Sequence, residues 1–356
     1  MKKIFCLFIL ALYFSGCTTT EDKTSSYVGP GSEYSITFNE SASTFELKES
    51  TSSLEVNGSY ETLSTGFKML TISTVSGGGS SPPSVGDKAY GVDIPGVVFL
   101  LKPLGSTESV ISMVSSGSCP TADFGMNWII TGIDRDQKLS NTCGSGDPGT
   151  DSIGTFSYVN STEKGTLPKM FDICGDSITT NVDLGTISCS AGKGKPSSDS
   201  TATMYLTSNG GSIVKFSDDN QIIVALPVDK VSSIADMKGD YIGMVMVDGA
   251  TSRKVYTVKS TAGTDGVFSF DEIDPTTGTV ITTNQVNGKS TMTTINSPAD
   301  GFTSGTFELT GIVSDKKVTC MTNQNIYSTG KNFIFCIGQD PFDDENMINV
   351  LLISKG

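Results

Sequence analysis

Histidine is absent from this chain of 356 residues. Without imidazole there can be no Ser-His-Asp triad, no Cys-His pair, no His-ligated metal and no imidazole acid–base step. Carboxylate pairs and a Ser–Lys dyad are the catalytic arrangements left. Basic charge is scarce too, with 24 Lys and Arg against 38 Asp and Glu and a net charge of −14. An acidic chain with scattered lysines cannot neutralise a phosphate backbone, which excludes nucleic acid as a partner, and it offers no polybasic segment to anionic headgroups. No C-x-x-C occurs, which argues against zinc. Tryptophan occurs once, at Trp128. The longest N-terminal apolar run, Ile4 to Phe14, is 11 residues, well short of the roughly 20 that a membrane-crossing helix needs.

What is there begins at the N-terminus. Lys2 and Lys3 precede the apolar run, and Ser15 and Gly16 supply small residues immediately before Cys17. This is the layout of a secretory signal. Phe14-Ser15-Gly16-Cys17 resembles a bacterial lipobox, with Phe14 where leucine is usual. The resemblance implies cleavage after Gly16, a lipid (palmitate) on Cys17, and attachment to the cell envelope. Thr18 after the cysteine, rather than aspartate, implies the outer membrane in a host with two membranes. Residues 1–16 are then a signal peptide, and 17–43, opening with Thr18-Thr19-Thr20-Glu21-Asp22-Lys23, reads as a flexible tether.

Six cysteines remain for an exported chain: Cys119, Cys143, Cys174, Cys189, Cys320 and Cys336. An even number outside the cytoplasm predicts disulfides. Their spacing groups them into three local couples, so the expectation is Cys119–Cys143, Cys174–Cys189 and Cys320–Cys336.

From Thr44 onward the pattern is short β-rich runs punctuated by Gly, Ser and Pro, as in Ser76–Gly86 and Ala191–Ser200. That texture predicts an all-β chain with two antiparallel domains of sandwich or barrel type, at residues 44–229 and 230–356. Val231–Lys238, stopped by Gly239, is the one short helix candidate. The nine candidate strands after it include Val280 to Thr283, and Asp248-Gly249, Asp265-Gly266 and Asn287-Gly288 mark hairpin turns. Met237-Lys-Gly-Asp-Tyr-Ile-Gly243 resembles the entry to lipocalin-like barrels, without the usual tryptophan. Alternation places Phe268/Phe270 and Phe307/Leu309 on one inward face.

The apparent catalytic motifs fail on inspection. Ser-x-x-Lys recurs at Ser161/Lys164, Ser190/Lys193, Ser212/Lys215, Ser314/Lys317 and Ser328/Lys331, but no helix is predicted to bring either member onto one turn. Gly288-Lys289-Ser290 lacks the first glycine of a phosphate loop, because Thr283 stands there. Asp134 and Asp136 begin like a calcium loop, yet Lys138 and Leu139 occupy a ligand position and the obligatory glycine. Asp218-Asp219 and Asp343-Asp344-Glu345 read as solvated turns, and Trp128 as a core residue beside a disulfide. The sequence therefore predicts a lipid-anchored envelope protein without catalytic activity, cofactor or metal. Its partners are the membrane, through the lipid, and an envelope protein or glycan. A carrier of a small apolar ligand in the C-terminal barrel is one alternative. A carboxylate-dependent glycan-acting enzyme is another, although no acid pair is picked out for it.

Overall fold

In the computed structural model, the residues described are 23–29, 34–50, 52–78, 82–102, 110–115, 117–132, 153–207, 211–216, 222–248, 253–282, 286–309, 312–324, 326, 329–339 and 347–355. Residues 1–16, Cys17, Asp134, Asp136, Cys143, the Asp218 pair, Ser328 and the Asp343 cluster lie outside them.

The chain is all-β and winds into three successive closed barrels of eight antiparallel strands each. Barrel 1 comprises β1 (Thr24–Val28), β2 (Tyr34–Asn39), β3 (Thr44–Glu49), β4 (Leu54–Thr62), β5 (Lys68–Ser76), β6 (Lys88–Ile94), β7 (Val98–Lys102) and β8 (Ile111–Ser115). Barrel 2 comprises β9 (Phe124–Gly132), β10 (Ile153–Val159), β11 (Lys164–Phe171), β12 (Ser177–Ser190), β13 (Lys193–Pro196), β14 (Ala202–Leu206), β15 (Ser212–Phe216) and β16 (Ile222–Pro227). Barrel 3 comprises β17 (Gly239–Asp248), β18 (Arg253–Ala262), β19 (Val267–Glu272), β20 (Gly288–Ile295), β21 (Phe302–Leu309), β22 (Ile312–Asn323), β23 (Phe333–Gln339) and β24 (Met347–Ser354). Each strand pairs with its sequence neighbours, and the last closes on the first.

Several readings are corrected here. The stretch 17–43 is not all tether, because β1 and β2 occupy Thr24–Val28 and Tyr34–Asn39. The 44–229 stretch holds the rest of barrel 1 and all of barrel 2. Lys193–Pro196, inside a predicted loop, is a strand that pairs with β12 and β14. Val280 makes only an isolated bridge to Ile273. The helix candidate reduces to one 3-10 turn, Ile234–Met237, capped by Ser233, whose side chain accepts from Ala235 N–H.

Alternation explains how the barrels combine. Along β7, Phe99 and Leu101 fill barrel 1, whereas Val98 and Leu100 point outward and are equally buried. Along β23, Ile334 and Cys336 fill barrel 3 while Phe333, Phe335 and Ile337 point outward, again buried. On β24 every residue from Met347 to Ser354 is buried. A strand buried on both faces reads as a continuous apolar run rather than as an alternating one. The outward residues of all three barrels merge into one cluster that includes Val92, Ile94 and Leu100 from barrel 1, Ile129, Ile153 and Ile213 from barrel 2, and Met244, Phe335 and Leu351 from barrel 3. Burying a residue of this kind contributes about 1.5–3 kcal/mol. The three barrels are thus fused around a shared core as well as filled singly.

Polar bonds stitch the same seams. Asn127 donates to the Asp300 carbonyl at 2.8 Å and Thr319 to the Ile173 carbonyl at 3.1 Å, joining barrels 2 and 3. Thr65 donates to the Pro275 carbonyl at 2.6 Å, joining barrels 1 and 3.

Candidate functional site

An open groove of about 480 Å³ lies on barrel 1. Phe38, Phe45 and Val56 point inward, so the residues between them point out. Thr37, Asn39, Glu46, Asn57 and Ser59 accordingly line the groove across β2, β3 and β4. Thr24 lies at its β1 side, and Ser73 and Thr74 at its β5 side. The lining is hydroxyl and amide with one carboxylate, and its only aromatic, Phe45, is buried beneath it.

Among the described residues, both flanks of the groove are open strand edges. β1 pairs with β8 only through Tyr27 and Val28, so among the described residues Thr24–Ser26 have no partner on that side. β5 pairs with β6 only over Lys68–Thr71, extended by bonds between Ile72 and the 86–87 turn. The edge of Ser73–Ser76 is open among the described residues. The cause is a bulge: Asn57 pairs with Thr74 and Gly58 with Ile72, leaving Ser73 as the extra residue. A bulge bends its strand. Gly58 is required beneath it, because a Cβ there would run into the Thr71 carbonyl and the Phe45 ring.

At the mouth of barrel 1 sits a half-buried polar cluster that no sequence motif marks. Lys68 Nζ lies 3.5 Å from Asp93 Oδ1 and stacks 5.1 Å over the Tyr60 ring and 5.8 Å over Phe38. Tyr27 donates its hydroxyl proton to Asp93 Oδ2 at 3.3 Å, and Gly96 N–H donates to the Tyr27 oxygen. A signal did exist. Lys68 shares the parity of inward Leu70 and Ile72, and Asp93 that of inward-leaning Ala89, so both charges point inside. Burial pushes the Asp93 carboxyl above its ordinary range, with Lys68 and Tyr27 pulling the other way and Glu40 adding to the push. From barrel 3, Lys331 faces the same carboxylate. A folded value above the unfolded one gives stability that is full at low pH and lost as pH rises through the folded value. Lowering pH from 7 to about 4 should therefore raise the stability of the wild type relative to Asp93→Asn. Urea unfolding of both proteins across that window checks this, and a relative loss on acidification would contradict it.

The cysteines obey a different pairing from the local one. Cys119 bonds Cys189, Cα–Cα 5.8 Å, which replaces both Cys119–Cys143 and Cys174–Cys189. The reason is β12, a single strand of 14 residues that begins at Ser177, just after Cys174, and carries Cys189 at its far end. Such a strand holds its ends roughly 40 Å apart, far beyond the reach of a disulfide. Cys174 is itself disulfide-bonded. Cys320 bonds Cys336, its direct cross-strand partner on β23. Trp128 is buried in the core of barrel 2, against which Cys189 also packs.

The other motifs dissolve into strands. Ser212/Lys215 and Ser314/Lys317 each lie within one strand rather than on a helical turn. Ser190 and Lys193 are cross-strand neighbours at a turn. Gly288-Lys289-Ser290 opens β20, with Lys289 paired to Glu308 at 3.1 Å. Among the described residues no group of three or more Cys, Asp or Glu is placed to hold a metal ion. No helix among them is long and apolar enough to cross a membrane.

The barrel interiors differ in how well they are filled. In barrel 3, Phe268, Phe270, Met237, Met292 and the Cys320–Cys336 bridge leave only about 10 Å³. The carrier alternative placed its ligand there. Ligand pockets run to about 300–1,000 Å³, so this space is too small for one.

No protein-family model matches the chain, and no curated protein does. Among solved structures, the chain is similar to two mutant forms, one single and one double, of the vaccine antigen Transferrin Binding Protein B (TbpB) from Haemophilus parasuis. Identity is 10% and 11%, and the TM-scores are 0.31 and 0.29. The matches cover 90% and 91% of this chain, which spans about two thirds of those structures, 65% and 66%.

Proposed function

We infer that this chain is a lipid-anchored envelope protein that binds rather than catalyses, and that the groove of barrel 1 receives an extended segment of a protein partner. The observation that carries this reading is the pair of open edges, Thr24–Ser26 and Ser73–Ser76, on either side of a polar groove. An added strand satisfies such backbone groups, while the side chains between them give specificity. A glycan is the weaker fit, because the groove offers no exposed aromatic face for a sugar ring to stack on. Two acids shielded from solvent have structural duties instead. Asp172 accepts from Cys174 and Asp176 N–H, and Asp93 holds Lys68.

The anchor supports the same reading. Only residues 17–23 separate Cys17 from β1, and a fully extended segment of that length reaches roughly 25 Å. The groove, whose lining begins at Thr24, would then work close to the membrane surface. A photo-crosslinking residue at Asn57 or Thr37 should trap a protein partner in envelope preparations, while one at Ser188 on barrel 2 should not. Equal trapping at all three positions, or none, would remove the groove from the account. The anchor has its own test. Cys17→Ser should accumulate as a precursor and take up no labelled palmitate, and normal processing of that variant would defeat the lipoprotein assignment.

A further inference from the structure

Barrel 2 is lined differently from barrel 3. At two inward positions it carries only alanine, Ala202 and Ala225, and around them lies an apolar cavity of about 70 Å³. Met126, Trp128, Phe156 and Met204 line its depth, and half-buried Leu167, Leu184 and Ile223 its rim. Left unfilled, apolar space costs about 24 cal/mol per Å³. The volume is about half of the roughly 150 Å³ that admits a benzene ring in a well-studied engineered cavity. A narrow chain end therefore fits the depth, and the unbranched thioethers of Met126 and Met204 can shift to lengthen the slot.

Two residues of the lining carry polar groups. Deep in the barrel, the Trp128 indole N–H is buried without a hydrogen-bond partner among the described residues. Its ring lies across Gly154, where a Cβ would run into the indole. At the rim stands Asp199, the only charged residue of the lining. Asp199 Oδ1 accepts from Thr201 N–H at 2.9 Å, the Thr201 hydroxyl at 2.6 Å and Ala202 N–H at 3.3 Å. These bonds hold its carboxyl below the usual range, the Thr201 hydroxyl first among them. A fixed negative charge at the mouth repels a carboxylate head and attracts an ammonium.

We propose that the interior of barrel 2 is a binding site for a cationic amphiphile, its unbranched alkyl tail entering between Ala202 and Ala225 and its ammonium head resting at Asp199. Neither groove nor anchor takes part, so this site stands or falls independently of them. Trp128 is the chain's only tryptophan, so its fluorescence reports the cavity directly in the full-length protein.

Octylammonium, titrated below its micelle concentration, should give a saturable change in that fluorescence, with octanoate about ten-fold weaker or more. Ala225→Leu fills the cavity and should weaken octylammonium binding about ten-fold while leaving the β-type circular dichroism unchanged. Should that variant fail to fold, Ala202→Val carries the same test. Asp199→Asn should leave octanol binding as it was and abolish the preference for octylammonium over octanol. The proposal is overturned by a non-saturable response, by octanoate binding as tightly as octylammonium, or by undiminished binding in the filled variant.

Discussion

Truncating Phe335 to alanine should cost about 3–5 kcal/mol, the usual range for removing a fully buried phenylalanine, although this side chain fills no barrel. It lies on the outward face of β23, wholly buried in the cluster to which all three barrels contribute. Were the barrels independent beads, such a change would loosen barrel 3 and leave barrel 2 alone. Fusion around a common core predicts otherwise. Urea unfolding followed by Trp128, which sits inside barrel 2, should shift to lower denaturant in Phe335→Ala. A Trp128 transition that stays put while the circular dichroism transition moves would refute the fusion. The same argument bears on residues 234–356 expressed alone. Ile242, Met244, Phe302, Met321, Phe333, Phe335, Ile337, Met347, Leu351 and Ile353 would all lose their cover. An apolar patch of that extent makes a soluble monomer an unexpected outcome.

How much of this could be read in advance depends on which contacts write themselves into local pattern. Barrel 3 is the most legible region. Phe268, Phe270, Phe307 and Leu309 do share one interior, because antiparallel hairpins translate period-two alternation directly into faces. The Cys320–Cys336 bridge follows from the same geometry. Barrels 1 and 2 are less legible, since β2, β11 and β12 are rich in Ser, Thr, Gly and Lys and carry few apolar residues on their outward faces. Such strands are held by pairing rather than by burial, which leaves little trace in composition. The shared core did leave a trace. Met-Ile-Asn-Val-Leu-Leu-Ile from Met347 to Ile353 scarcely alternates, and a non-alternating strand in an antiparallel chain implies cover on both faces. What covers it comes from the other two barrels, distant in sequence, and no local pattern carries that. The groove was invisible for a related reason: it is defined by where β5 stops pairing with β6, a matter of one extra residue at Ser73.

Removing the Cys119–Cys189 bridge, as Cys119→Ser with Cys189→Ser, should destabilise barrel 2 by about 4 kcal/mol, because closure of a loop of this length restricts the unfolded chain strongly. The residues are 70 apart in sequence, so the bridge ties the chain just ahead of β9 to the far end of β12, across most of the barrel's length. A local couple such as the one the spacing suggests would close a much shorter loop and stabilise correspondingly less. Both sulfurs sit at half-buried positions, so serine replaces them without burying a new polar group, and the cost falls mainly on the unfolded state. That origin has its own signature. A freed chain exposes more surface on unfolding, so the denaturant dependence should steepen as the midpoint falls. Non-reducing peptide mapping of the wild type supplies the direct check. A peptide holding Cys119 should travel with one holding Cys189, and recovery of Cys119 with Cys143 would show that the chain chose the local pairing after all. If the mapping agrees but stability changes by less than about 1 kcal/mol, then residual structure already holds these ends together in the unfolded chain.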